Sequence, residues 1–273
     1  MGVYSQQPTL PIATYRRTVA ASIDRVWENV LDWEHLPYLH HDSVSAIDLL
    51  AAGKEGWRAE VKTTPELGGT ESEIEVVLDR PRLRYVTKTL GGAGEGTEIW
   101  TALRPHEDGR TSIAVDFCVP GVPADQAEAI GGFYVSLYTR LWDQDESMMV
   151  ERERLLLKRR ERRPEPVSRG VVRLGPLASL RSRLPLTVEA DGPRYRIVAH
   201  DGRLVAHAAE CPHMGGPLDR ALVSDGCITC PWHGYRFDVS TGASMDGRGL
   251  RLARAPRVRI EEMTDEVVLD YEP

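Results

Sequence analysis

Hydrophobic and polar positions alternate in short runs through most of this chain, and the alternation gives way twice to helical spacing. Residues 12–20 alternate and are rich in β-branched side chains, which predicts a strand. Ser22 stands before the amphipathic run Ile23-Asp24-Arg25-Val26-Trp27, where a hydroxyl can cap a helix. Between residues 45 and 119 the runs IDLLAA, GWRAEVKTT, ESEIEVVLD, LRYVTKTL, GTEIWTALRP and TSIAVDFCV are separated by Gly, Pro and Asp-Gly turns, so an antiparallel meander is expected. Residues 124 to about 160 then carry an apolar stripe at helical period, predicting one long helix. The stretch KRRERRPEPVSR, 158–169, is basic, holds two prolines and has nothing apolar before Val167. It reads as a solvated helix end passing into a linker. Beyond it, RYRIVAH, RLVAHAA, YRFDVST and RVRIEEM alternate between Asp-Gly and Thr-Gly turns and predict an all-β domain. The fold class is therefore α+β, with domains at 1–163 and 169–273 joined by a linker at 164–168.

Composition narrows the functional classes. The chain has 273 residues, 41% hydrophobic and 27% charged, which suits globular domains. A net charge of −7 argues against nucleic acid or an anionic membrane as a partner. No stretch has the length of a membrane span. The segment MGVYSQQPTLPIATY lacks a signal-peptide pattern, and Gln6 breaks the myristoylation pattern, so a cytoplasmic location is expected. A reduced thiol is the expectation there for Cys118 and Cys227.

The candidate chemistry begins with two ligand pairs. Cys211 and His213 lie in C-P-H-M-G-G-P-L, Cys230 and His233 in C-P-W-H-G-Y, and sixteen residues separate the pairs. This resembles the Rieske signature, in which two thiolates hold one iron of a 2Fe–2S cluster and two imidazoles hold the other. The thiolates neutralise one ferric centre, while neutral imidazoles leave the second iron easier to reduce. Gly215, Gly216 and Gly234 permit tight loops, and Pro212 and Pro231 stiffen them. A zinc site is the competing reading, since Cys227 and Cys230 form a C-x-x-C that can join Cys211 and one histidine; a buried strand cysteine is the blander account of Cys227. Respiratory-chain members of the family carry an extra cysteine in each loop. The matching positions here are Gly216 and Trp232, and Tyr235 stands in place of a serine, so the resemblance is to the low-potential type of oxygenases and their ferredoxins.

The first domain, with its strand, short helices, meander and closing helix, looks like the helix-grip fold of the START and polyketide-cyclase-like superfamily. That resemblance implies an apolar tunnel between sheet and last helix. Its first helix runs into E-N-x-x-D-x-x-H-x-x-x-x-H, from Glu28 to His40. The spacing resembles the mononuclear-iron motif of the Rieske non-heme iron oxygenases. The resemblance implies that His35 and His40 hold Fe(II), that Asp32 links an iron-bound histidine to a cluster histidine, and that Asn29 supports them. The plainer account is packing, because cyclase-like domains carry stretches similar to V-W-x-x-x-x-D-W-x-x-L-P. Five residues on a regular helix lie about 140° apart, so the histidines converge only where the helix breaks, and Pro37 is placed to break it. His41 is the alternative to His40.

A third, carboxylate ligand is sought on the long helix. With Leu141 as origin, Ile130, Tyr134, Leu137, Tyr138, Met148 and Leu155 fall within about 60°, and Asp145 falls at about 40°. Asp143 and Glu146 fall on the solvent side. A carboxylate on an apolar stripe is costly unless paired or metal-bound. Asp145 is therefore the expected third ligand, with a salt bridge to Arg152 as the blander reading. His106 is placed in a surface turn; His200 and His207 flank a hairpin ahead of the cluster loops.

The resemblance as a whole implies a terminal oxygenase. An NAD(P)H-linked reductase or ferredoxin delivers electrons, the cluster relays them to iron, and dioxygen oxidises a hydrophobic small molecule. A homo-oligomer, with a trimer expected, follows from relatives that pass electrons between subunits. Two departures stand out: the domain order is reversed, and the first domain is compact. The alternatives are a non-catalytic electron carrier fused to a ligand-binding domain, and a metal-independent cyclase.

Overall fold

The computed structural model describes residues 10–161, 171–189 and 193–270, so the expected linker at 164–168 lies outside the described residues. The chain divides into two compact units, Met1–Arg154 and Leu155–Pro273.

The first unit is built on a seven-stranded sheet. In chain order it comprises β1 (Ala13–Val19), α1 (Ile23–Leu31), α2 (Leu36–Leu39), β2 (Val44–Gly53), β3 (Gly56–Thr63), β4 (Glu71–Asp79), β5 (Arg84–Gly92), β6 (Glu98–Pro105), β7 (Thr111–Cys118) and the long α3 (Ala127–Glu161). Strands β2 to β7 run as successive hairpins, and β1 returns to pair antiparallel with β7, Ala13 opposite Phe117. The two sheet edges are thus β1 and β2, and α1 and α2 carry the chain from one to the other. Alternation explains the sheet: Trp57, Ala59 and Val61 of β3, and Ile113, Val115 and Phe117 of β7, are buried while the residues between them are not. They share one core with Trp142 and Met149 of α3. This sheet gripping a long helix is the helix-grip architecture. Burying each such side chain contributes about 1.5–3 kcal/mol. At Phe117 the sheet–helix interface is filled by rings, with Tyr134 stacked at 5.1 Å and Tyr138 edge-on at 4.9 Å between centroids. The expected apolar tunnel is not open at that point.

Two local expectations are corrected. Ser22 occupies the N-cap position of α1, but its hydroxyl donates to Glu153 Oε2 at 2.9 Å, and Arg25 and Val26 N–H bond to the Ser22 carbonyl. A charged acceptor outcompetes the local cap. The helix does not continue to Pro37 either. It ends at Leu31, Asp32 adopts φ −86° and ψ 80°, residues 33–35 form a 3-10 turn, and Pro37 lies in the first turn of α2, where a missing N–H costs nothing.

The second unit comprises β8 (Val171–Pro176), α4 (Leu177–Arg181), β9 (Leu186–Glu189), β10 (Arg194–His200), β11 (Arg203–Ala208), β12 (Val223–Ser224), β13 (Cys227–Thr229), β14 (Arg236–Asp238), β15 (Arg257–Glu261) and β16 (Glu266–Asp270). They make three three-stranded antiparallel sheets, ordered β11-β10-β9, β12-β13-β14 and β15-β16-β8. Asp201-Gly202 and Asp225-Gly226 turn two of the hairpins with positive φ at both residues, the geometry that matches strand twist. Cys227 is buried on β13, paired between Ser224 and Asp238 in the ladder, as a strand cysteine would be.

Candidate functional site

The two cluster loops are built alike. Cys211 follows β11 closely, and Cys230 directly follows β13. In each loop the glycine four residues after the cysteine donates its N–H to the cysteine carbonyl, Gly215 to Cys211 and Gly234 to Cys230, both at 2.9 Å. In each the cysteine N–H donates to the residue five positions on, Cys211 to Gly216 at 2.9 Å and Cys230 to Tyr235 at 2.8 Å. Closing so tight a loop puts Gly215 and Gly234 at φ of 87° and 67°, which side-chain-bearing residues rarely adopt.

The loops place sulfur near sulfur and ring near ring. The Cys211 and Cys230 thiols are hydrogen-bond partners, and the His213 and His233 rings lie 4.6 Å apart at 79°. The Cys211 thiol hydrogen bond, assisted by His233 and by the Trp232 and His233 N–H groups, draws the Cys230 thiol down to about 5 against the opposing effect of burial. Cys211 is pushed up by the same hydrogen bond and by burial. Gly216 keeps the cradle clear, because a Cβ there would stand 2.5 Å from Cys230 Sγ. These residues fit a cluster with two sulfur ligands on one iron and two imidazoles on the other. The Tyr235 ring packs edge-on to His213 at 4.4 Å, and the Arg248 guanidinium stacks on that ring at 3.9 Å.

The first unit gathers a second set. His35 lies in the 3-10 turn and His40 caps the C-terminal end of α2; α3 presents Asp145 to both. His35 Nε2 is 3.3 Å and His40 Nε2 3.2 Å from Asp145 Oδ1, and one ligand atom from each residue lies within 4.8 Å of the others. All three are buried: exposure is 4% for His35, 2% for His40 and 8% for Asp145. The remaining ring nitrogens face away. His35 Nδ1 is 3.6 Å from Asp32 Oδ2, and His40 Nδ1 donates to Gln144 Oε1 at 2.7 Å. Buried Asn29 donates Nδ2 to Asp145 Oδ1 at 3.0 Å. Neutral His40, with its Nδ1–H so engaged, offers its Nε2 lone pair, the form that binds a metal, whereas His35 Nδ1 is buried without a hydrogen-bond partner.

Electrostatics in this pocket work against burial. Burial favours neutral His35, yet a hydrogen bond to Asp145 and the charges of Asp145 and Asp32 raise it to about 10. Burial likewise favours protonated Asp145, yet His40 and His35 hold it well below the usual carboxylate range. Tyr85 and Tyr138 are held above their ordinary range, mainly by burial and further by the Asp145 charge. Two imidazoles and a carboxylate gathered in this way are a donor set of the kind that holds a metal ion.

The sequence-predicted residues therefore fall into two groups. Cys211, His213, Cys230 and His233 meet in the second unit; Asn29, Asp32, His35, His40 and Asp145 meet in the first. His41 does not join them, being exposed with Nδ1 at 3.1 Å from the Tyr38 carbonyl. Arg152 reaches Glu28 at 3.4 Å, whereas Asp145 is engaged by Asn29 and the histidines. Asp143 is exposed, but Glu146, expected in solvent, is half-buried, pairs with Arg17 and accepts the Ala20 N–H at 2.7 Å. His106 bonds Ser112 Oγ at 2.7 Å, His200 lies 3.5 Å from Asp201, and His207 is buried. Gln144 was not anticipated as the partner of His40. Its adjacency to Asp145 on the same helix is the signal that marks it, and its Nε2 continues to Asp42 Oδ1 at 3.4 Å.

The comparisons with known proteins bear on the second unit. The family model Rieske [2Fe-2S] domain matches residues 170–253. Apoptosis-inducing factor 3 of Mus musculus is 37% identical over 75 residues, 28% of this chain and 12% of that protein. The oxygenase component of 3-ketosteroid-9-alpha-monooxygenase from Rhodococcus rhodochrous is 36% identical over 76 residues, 28% of this chain and 20% of that protein. The chain thus spans about an eighth to a fifth of the length of these curated relatives. Among solved structures, Zhui aromatase/cyclase from Streptomyces sp. R1128 aligns over 53% of this chain and 96% of its own, at 14% identity and a TM-score of 0.44. The chain carries a Rieske domain at its C-terminal end, with the capacity for electron transfer that a 2Fe–2S cluster supplies. No helix among the described residues is long and apolar enough to cross a membrane.

Proposed function

We propose that this chain is an oxygenase in which a Rieske cluster feeds electrons to a mononuclear iron held by His35, His40 and Asp145. The observation that carries the reading is the convergence of two buried imidazole Nε2 atoms on one buried carboxylate oxygen, at 3.3 and 3.2 Å. Two histidines and one carboxylate form the facial set that suits non-heme Fe(II), which supplies dioxygen activation when bound. Asp32 and Gln144 orient the two rings, and Asn29 holds the Asp145 carboxylate. Tyr85, buried, and Tyr138, half-buried, face the Asp145 charge. The domains proposed are 1–163 for the catalytic part and 169–273 for the cluster. An NAD(P)H-linked reductase or ferredoxin is the proposed electron donor, a hydrophobic small molecule the substrate, and a homo-oligomer the working form.

One observation favours a second reading. With His35 raised to about 10 and Asp145 depressed, the same residues satisfy one another as a buried ion pair, and the chain is then an electron carrier joined to a ligand-binding domain. Anaerobic reconstitution followed by iron and sulfide counting separates the two. An iron-to-sulfide ratio of about 3 to 2 supports the oxygenase, and about 2 to 2 refutes it in favour of the carrier.

A further inference from the structure

The second unit contains a cavity of about 1460 Å³ whose lining includes none of the cluster ligands and which the proposed chemistry does not use. It is lined by β11, by the segment 251–258 and by the turn 239–242. Four arginines line it: Arg203, Arg251, Arg254 and Arg257. Two acids line it as well, but Asp270 is 3.4 Å from Arg259 and Asp201 lies 3.5 Å from His200. Among the described residues Arg203, Arg251 and Arg254 have no carboxylate partner. In a chain of net charge −7, three guanidiniums left without acids around one cavity are a local excess of positive charge.

The buried part of the lining adds selectivity. Leu252, Val239 and Tyr195 line the cavity and are buried. So does His207, at 2% exposure, whose Nδ1–H donates to the Ala208 carbonyl at 2.9 Å. That bond leaves Nε2 as an acceptor, and it is buried without a partner in the protein. A group that fits must therefore bring an N–H or O–H donor on a largely apolar body. The lining is also held in place, since Arg251 Nη2 donates to the Thr241 carbonyl at 2.6 Å and Leu252 N–H to the Gly242 carbonyl at 2.9 Å.

We infer that this cavity binds a small organic polyphosphate, of which a nucleoside diphosphate is the type. Its phosphates match the unpaired guanidinium forks. Its base and sugar supply the apolar faces and the donor that His207 Nε2 lacks. This inference stands independently of the mononuclear iron.

Isothermal titration of the full, cluster-loaded chain with ADP, inorganic pyrophosphate and adenosine, at fixed ionic strength, tests it. ADP is expected to saturate a single site per chain, with pyrophosphate and adenosine each at least tenfold weaker. Arg203→Gln and Arg254→Gln are each expected to weaken ADP about tenfold or more while the cluster's visible spectrum stays unchanged. Both side chains are exposed, so neither change removes packing. His207→Phe is expected to weaken ADP but not pyrophosphate. Absence of saturable ADP binding, or ADP affinity unchanged in both arginine variants, overturns the site. Pyrophosphate binding as tightly as ADP overturns the organic part of the assignment.

Discussion

Replacing Asp145 with Asn changes almost nothing but charge. The amide fills the same volume and still offers Oδ1 to Asn29 Nδ2, now 3.0 Å away. What disappears is the anion that both imidazoles face. Two donors bound to one metal at about 2.1 Å stand about 3.0 Å apart at a right angle and about 3.4 Å apart at the tetrahedral angle. The observed 3.2 and 3.3 Å from the two imidazoles to the carboxylate lie between these. Residues that merely orient a ligand typically change metal affinity 10- to 100-fold. Loss of the only charged ligand is expected to cost about 100-fold or more. The assay is anaerobic loading of both proteins with Fe(II) and sulfide, desalting, and counting of iron against acid-labile sulfide. Wild type is expected at about 3 to 2 and Asp145→Asn at about 2 to 2, with identical cluster visible and EPR spectra. A variant that keeps its extra iron refutes the role given to this carboxylate. So does an Asp145→Asn protein whose cluster signal is lost, since the two centres would then not be separable.

Three further outcomes follow from other features. Gly216→Ala sets a Cβ 2.5 Å from Cys230 Sγ and is expected to abolish cluster absorbance while far-ultraviolet circular dichroism is retained; normal incorporation would show that the loop is not so tightly drawn. Gly56→Ala forces a Cβ to 1.8 Å from the Val76 carbonyl oxygen at φ +139°, so a loss of about 3 kcal/mol or more is expected in urea unfolding, and a loss under 1 kcal/mol would contradict the register of β3 on β4. Without iron in the first unit, stability is expected to depend on pH through the buried pair. His35 is raised, so its contribution is full below 6.5 and is lost as pH climbs through about 10; Asp145 is depressed, so its contribution is full above 3.8 and is lost as pH falls below that. The urea midpoint of iron-free protein should therefore fall between pH 6.5 and 10, and His35→Gln should flatten that fall. An alkaline limb that is equally steep in the variant would assign it to other groups.

Much of this protein is determined within short windows of sequence. Strand alternation in β3 and β7 and the Asp-Gly hairpins depend on neighbours one or two residues apart, and so they were legible. The cluster loops were legible for the same reason, since each cysteine, histidine and glycine lies within five residues and the loop closes on itself through local hydrogen bonds. The angular position of Asp145 on its helix was readable too, because helical period alone puts it on the stripe. Other features were settled only by tertiary structure. Helical period keeps His35 and His40 about 140° apart; they meet because the chain leaves the helix at Asp32, a break that contacts with a distant α3 stabilise and no local signal announces. Gln144 turned to His40, Ser22 to Glu153 and Glu146 to Arg17 across 104, 131 and 129 residues, respectively. The arginine-lined cavity joins residues of β11 with the far segment 251–258, and only folding brings those charges around one space. Local geometry is written in adjacent residues, whereas the pairing of distant charges depends on which surfaces pack together.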